Sequence, residues 1–313
     1  MPETWIISLG GNAITRENEP GRISDQFVHT EEMLDGFVEV LRSDCRVVIT
    51  HGNGPQMGNI LIRVEEGERR VPPLPLDTCV ADSQGGMGYM IQRLANQLFR
   101  RERIARDIGT LITQVVVDQN DPGFGHPSKP IGAFYNRHDV ELIRREKPHW
   151  VVTEIEPGRF RRVVPSPRPL DVVEKNVICR MLNAGCVVIA CGGGGIPVAW
   201  EEGRLVGVEA VVDKDLASSL LARQLGATRL VIVTTVPQVA LHYHKPEQQW
   251  LDHMSVVKAR GYLAAGEFPP GSMGPKIQAA IDFLEAGGRD CIITSPQCAR
   301  QAIEGRGGTW ITP

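Results

Sequence analysis

Short apolar runs recur along the chain at intervals wide enough to hold a helix between them: TWIISL at 4–9, RVVIT at 46–50, TLITQVVVD at 110–118, CVVIA at 186–190, RLVIVT at 229–234 and DCIIT at 290–294. Runs apolar at successive positions predict strands buried on both faces, the pattern of a parallel sheet. Amphipathic stretches lie between them. Residues 24–43 place Phe27, Met33, Leu34, Phe37, Val38 and Leu41 at helical spacing behind a capping residue at Ser24. Residues 77–103, 170–183, the segment opening at Asp213 and 275–286 read the same way, with Gly226 and Gly287 where left-handed helix ends are expected. This alternation predicts an α/β fold with helices on both faces of the sheet and ligands at the carboxyl ends of the strands. The rhythm breaks over 119–169, where DPGFGHPSKPIGAF and SPRP predict a small extra subdomain or a long mobile lid.

At 313 residues the chain is long enough for one large domain or two fused lobes. A net charge of -3 gives no global basic field, so nucleic acid and anionic membrane are poor partners and any anion site must be local. The opening residues lack a charged and apolar leader, and no run approaches the length of a membrane span, so a cytoplasmic location is expected. Seven cysteines without a CxxC pair argue against a zinc knuckle or a dithiol redox motif. Free thiols are expected, with Cys291 and Cys298 the pair considered for a bridge. Only 7 of the 34 basic residues are lysine, which makes each lysine worth inspecting.

Four strands run straight into small residues: Gly10, Gly11 and Asn12 after the run at 4–9, His51, Gly52, Asn53 and Gly54 after that at 46–50, Gly192 to Gly195 after that at 186–190, and Thr234 and Thr235 at the end of that at 229–234. Any one cluster reads as a tight turn; together, at strand ends that converge, they predict a crevice whose backbone amides approach an anion. CGGGGIPV is no dinucleotide fingerprint, because Pro197 interrupts it and no helical pattern follows, and a Walker-type P-loop is absent.

Two lysines sit where cations are ordinarily unfavourable. Lys214 follows the capping residue Asp213 at a helix start, and Lys276 follows Pro275, which fits a first helical position. A polyanion beside both helix N-termini explains the placement, and Asp215 is placed to hold an ammonium or help with a metal. Lys129 lies in the irregular segment, where an exposed loop lysine is ordinary.

The segments SLGGNAI (8–14), THGNGPQMGN (50–59), PLDTCVADSQGGMGYMIQ (75–92), SKPIGAFY (128–135), VVPSPRPLDVVE (163–174), GVEAVVDKDLAS (207–218) and GSMGPKIQAAIDF (271–283) resemble the carbamate kinases of the amino-acid kinase superfamily over essentially the whole chain. The resemblance implies a three-layer αβα sandwich with an open, mainly parallel sheet. It implies an acceptor lobe over 1–200, a protruding subdomain near 120–165 bearing Lys129, a nucleotide lobe over 201–313, and a homodimer. Lys129, Lys214 and Lys276 would be the catalytic cations, organised by Asp215. Gly10, Gly11, Asn12, Gly52, Asn53, Gly54, Gly193 and Gly194 would contact carbamate and the transferred phosphoryl group; Thr234, Tyr243, Met273, Gly274 and Lys276 would face the nucleotide. Thr235 stands where many relatives carry aspartate, so contacts from that loop to ribose or metal are left unassigned.

The implied reaction moves a phosphoryl group between ATP and carbamate, giving ADP and carbamoyl phosphate, with Mg²⁺ on the nucleotide phosphates and no protein ligand assigned to it. Carbamate is already an anion and needs no general base, which suits a site of lysines and amides. His51, the one histidine inside a motif, is read as steadying a turn. The competing readings are another phosphotransferase of the superfamily and a non-catalytic nucleotide sensor.

Overall fold

A computed structural model of the chain describes residues 2–15, 19 and 21–313. Its centre is an eight-stranded sheet whose spatial order is His253–Ser255, Thr309–Thr312, Asp290–Thr294, Arg229–Val233, Thr4–Leu9, Arg46–His51, Val187–Ile189 and Ile108–Thr110. All neighbours pair in parallel except Asp290–Thr294 with Thr309–Thr312. Alternate side chains of each strand enter separate cores. Ile6, Val48, Leu230 and Ile232 pack with Leu221 and Ile277 on one face, while Ile7, Ile49, Val231 and Val233 pack with Met33, Phe37 and Met90 on the other. Helices therefore cover both faces, giving the expected three-layer αβα sandwich.

Thr4–Leu9 lies between Arg46–His51 and Arg229–Val233, so the chain leaves it in one direction along the sheet and returns on its other side. The loops after these three strands meet at their carboxyl ends, the switch point at which open α/β sheets place their ligands.

Three elements differ from the sequence reading. Residues 24–43 form two helices, Ile23–Asp35 and Val38–Arg42, and the first is capped at Arg22, whose N–H donates to Asp25 at 3.2 Å, rather than at Ser24. Gly36 at the break meets Ala299 so closely that a Cβ there would lie 3.0 Å from the Ala299 methyl. The apolar run 110–118 is two strands, Ile108–Thr110 in the large sheet and Gln114–Val117 in a second sheet with Pro169–Val172, Ile196–Glu201 and Arg204–Gly207. Gln84 makes the break: its amide accepts from Thr113 N–H at 2.8 Å and donates to Thr113 C=O at 3.0 Å. The supposed helix over 170–183 is a strand, Pro169–Val172, followed by a helix, Lys175–Asn183, because its first residues pair with Gln114–Val117.

The irregular segment is folded. Lys129–Tyr135, Arg159–Val164 and Val151–Glu156 form an antiparallel sheet beside the helix Arg137–Glu146, and Lys129–Tyr135 packs against the helix Gly54–Gly67. Cys291 and Cys298 carry free thiols, so the bridge considered between them is absent.

Candidate active site

The loops at the sheet's carboxyl edge enclose a cleft of about 500 Å³, walled by Gly10, Gly11, Asn12, Gly52, Asn53, Gly54 and Gly193, by Lys129, Lys214 and Lys276, and by Thr234, Tyr243 and Met273. Two residues expected there stand back from the cleft. Gly194 packs on the Val212 carbonyl, and Gly274 is tied into the helix start by its N–H to Pro269 C=O at 2.9 Å. Gly52 shows why the lining must be small, because a Cβ would fall 2.9 Å from Gly11 N and 3.1 Å from Lys214 Cδ. At Gly193, φ is +68° and a Cβ would strike the Asn53 amide.

Asp213 caps the helix Lys214–Gln224, accepting from Asp215 N–H at 2.9 Å. The first-turn residues of that helix therefore face the cleft. Lys214 Nζ donates to Asp215 Oδ1 at 2.5 Å and to Ser8 Oγ at 2.8 Å, and Lys276 Nζ donates to Asp215 Oδ2 at 3.0 Å. One carboxylate thus spans two ammonium groups, that of the adjacent Lys214 and that of Lys276, 61 residues further along the chain from Asp215. The helix carrying Lys276 is Met273–Glu285, so Pro275 is its third residue, not its first, and Lys276 its fourth. Its ammonium also donates to Ser272 C=O at 3.3 Å, just before the helix start.

Burial sets the electrostatics. It pushes the Lys214 ammonium below the ordinary lysine value, with Asp215 only partly offsetting it. Burial alone would raise the Asp215 carboxyl, but the two ammonium groups outweigh it and hold Asp215 well below the usual carboxylate range. Burial likewise works against the Lys276 charge, yet Asp215 prevails and raises it. His51, buried and pushed down to about 4 by that burial, is neutral at pH 7. Its Nδ1–H donates to Gly52 C=O at 3.2 Å while its ring packs on Gly192, which fits a turn-steadying role.

Lys129 reaches the cleft from the small sheet and places Nζ 2.9 Å from Asp213 Oδ2. The cleft thus gathers Lys129, Lys214, Lys276 and Arg161 against Asp213, Asp215 and Glu267, four cations to three carboxylates. Such a wall suits a polyanion. Among the described residues no group of three or more His, Cys, Asp or Glu is placed to hold a metal.

Sequence reasoning missed three participants. Ser8 was visible as the polar residue near the end of an otherwise apolar strand, where its buried hydroxyl also accepts from Ser218 at 3.2 Å. Asp213 was seen as a cap and not as the partner of Lys129. Arg161 carried no local signal.

Comparison with known proteins agrees with this geometry. Residues 3–295 match the model of the amino acid kinase family. The carbamate kinase-like protein YahI of Escherichia coli K12 is 44% identical over 99% of both chains, and a carbamate kinase of Pyrococcus horikoshii is 42% identical over the full length of both. The structure of a carbamate kinase from Giardia lamblia bound to AMP-PNP superposes with a TM-score of 0.93 at 37% identity, covering 99% of this chain and 98% of that one.

Proposed function

The chain belongs to the amino acid kinase family, and on that premise we propose that it is a carbamate kinase, moving a phosphoryl group reversibly between ATP and carbamate. The observation that carries the reading is the Asp215 carboxylate bridging Lys214 and Lys276 at the edge of a glycine-lined cleft.

In the ATP-forming direction, a β-phosphate oxygen of ADP bonds to the phosphorus of carbamoyl phosphate as the bond from phosphorus to the carbamate oxygen breaks. Carbamate leaves with that electron pair as an anion, and no proton need move. The protein's task is then to align the two anions and neutralise the equatorial oxygens between them. Lys214 and Lys276 are fixed for this before substrate arrives, since Asp215, Ser8 and the helix starts hold their ammonium groups. Preorganised charge of this kind needs little rearrangement as the reaction proceeds. The amides around Gly10, Gly11, Gly52 and Asn53 would face the transferred group and the carbamate, and the wall with Thr234, Tyr243 and Met273 would face the nucleotide. Lys129 adds a third cation and, riding on the small sheet, would help exclude water that would hydrolyse carbamoyl phosphate.

Magnesium bound with the nucleotide would supply screening of phosphate charge beside these lysines. The donor set suits a metal held chiefly by phosphate and water, because Asp215 is engaged by two ammonium groups and Asp213 by its cap and Lys129. We further propose, from the family resemblance, two lobes meeting near residue 200 and a homodimer working in the cytoplasm. Among the described residues no helix is long and apolar enough to cross a membrane.

The test is to mix the purified protein with ADP, Mg²⁺ and carbamoyl phosphate and to measure ATP. ATP well above the rate without protein is expected. No such ATP, together with phosphorylation of acetylglutamate or another acceptor from ATP, would replace carbamate as the substrate.

A further inference from the structure

The strand Arg159–Val164 carries three arginines whose surroundings differ. Arg159 pairs with Glu156 at 2.5 Å, and Arg162 pairs with Glu209 at 2.5 Å. Arg161 has no carboxylate within 4.0 Å among the described residues. Its Nη2 donates to Gly132 C=O at 3.0 Å, its guanidinium carbon sits 5.0 Å from the Phe134 ring centre, and its Nε is sealed from solvent without a hydrogen-bond partner. Arg161 is also the one of the three that lines the cleft, close to Lys129, Pro130 and Ile131.

A half-buried guanidinium held by one carbonyl and an aromatic face is under-satisfied, and a buried donor left without a partner is destabilising. Proteins retain such groups where a ligand completes them. The flat guanidinium fork matches a planar, carboxylate-type anion better than an ammonium would. Its neighbours locate that anion. Arg161 belongs to the small sheet that brings in Lys129, which packs on the helix following Gly52 and Asn53, whereas Tyr243 and Met273 come from the C-terminal part of the chain.

We propose that Arg161 is a binding residue for the phosphoryl acceptor, holding the carboxylate of carbamate and, in carbamoyl phosphate, the carbonyl oxygen of the carbamoyl group. This rests on the activity proposed above. Lys129 and Arg161 then divide the work from one sheet, the ammonium serving the transferred phosphoryl group and the guanidinium the planar acceptor. The neighbouring arginines, each with its own carboxylate, take no part.

Steady-state ATP formation by Arg161→Met, Arg161→Lys and the control Arg159→Met tests the assignment, with KM measured separately for carbamoyl phosphate and ADP. Arg161→Met should raise the KM for carbamoyl phosphate roughly 10- to 100-fold, the range for losing a charge-assisted hydrogen bond, with the KM for ADP within about twofold of the parent. Arg161→Lys, keeping charge without the fork, should fall between parent and Met variant, and Arg159→Met should match the parent. An unchanged KM for carbamoyl phosphate in Arg161→Met overturns the assignment, as does a rise in the two KM values together. If Arg161→Met does not fold, the lysine variant decides alone, and parental values there overturn the proposal. A parent protein that forms no ATP removes the proposed activity and this assignment with it, a result distinct from an active parent with an indifferent Arg161.

Discussion

The ammonium of Lys129 lies 2.9 Å from one oxygen of Asp213, while the other oxygen of the same carboxylate accepts from the Asp215 N–H at 2.9 Å. A residue of the small sheet is thereby tied, through one side chain, to the helix start that carries Lys214. The relationship separates two roles by substitution. Asp213→Asn keeps an acceptor for the helix cap and removes the charge that holds Lys129. Turnover should fall about tenfold, the loss expected when one charged group is less well placed, while the melting temperature stays close to the parent's. Asp213→Ala should add the loss of a cap, about 1 kcal/mol, seen as a lower urea midpoint. Parental turnover in the asparagine variant would show that Lys129 needs no such tether.

Lys214→Ala and Lys276→Ala should each lower kcat at least about 100-fold, the scale for removing one preorganised donor from a site of developing charge. Initial rates of ATP formation at saturating ADP and carbamoyl phosphate measure this. A variant with near-normal kcat would drop out of the catalytic set.

Burial depresses Lys214 below the ordinary lysine value of 10.5, so in the free protein its charge is lost at a lower pH than an exposed lysine's. The alkaline limb of kcat/KM should therefore lie below pH 10.5. Bound phosphate favours the ammonium, so the limb of kcat should lie higher than that of kcat/KM. Lys214→Arg, which stays charged, should abolish the limb in its residual activity. A kcat/KM profile that is flat to pH 10.5 would contradict the depressed value.

Asp215 is 2% exposed and faces two ammonium groups. Asp215→Asn should cost about 3–5 kcal/mol, the range for breaking a buried ion pair on one side, read as a lower urea midpoint at pH 7. The sign follows from the depressed carboxyl. Its stabilisation is fully present above the unfolded value near 3.8 and is lost as pH falls through the lower folded value. The gap between parent and variant should hold from pH 7 to about 5 and close only in stronger acid. A gap that closes between pH 7 and 5 would mean that Asp215 is not held ionised.

The Cβ of Gly52→Ala would fall 2.9 Å from Gly11 N and 3.1 Å from the Lys214 stem. Turnover should drop at least about tenfold, since small displacements of positioned groups are expensive in rate, with circular dichroism unchanged. Normal kinetics would show that the two loops can part freely.

Much of this protein was determined locally in its sequence. The strands Thr4–Leu9 and Asp290–Thr294 coincide with their apolar runs, because burial on both faces demands apolar side chains at successive positions. Asp213 before Lys214, and Gly226 and Gly287 after their helices, are legible because caps depend on neighbours a few residues away. Tertiary structure decided the rest. Gln84 splits the apolar run 110–118 from 29 residues off, and pairing with Gln114–Val117 turns the start of the 170–183 segment into a strand, where local propensity is weaker than a ladder of hydrogen bonds. The same holds at the site. The sequence places Lys214 and Lys276 near helix starts, but one carboxylate can join them to each other, with Ser8 on Lys214, only after two helices pack on the same face of the sheet. Arg161 is distinguished from Arg159 and Arg162 by which carboxylates the fold brings near, a matter of packing that adjacent letters in a sequence do not encode.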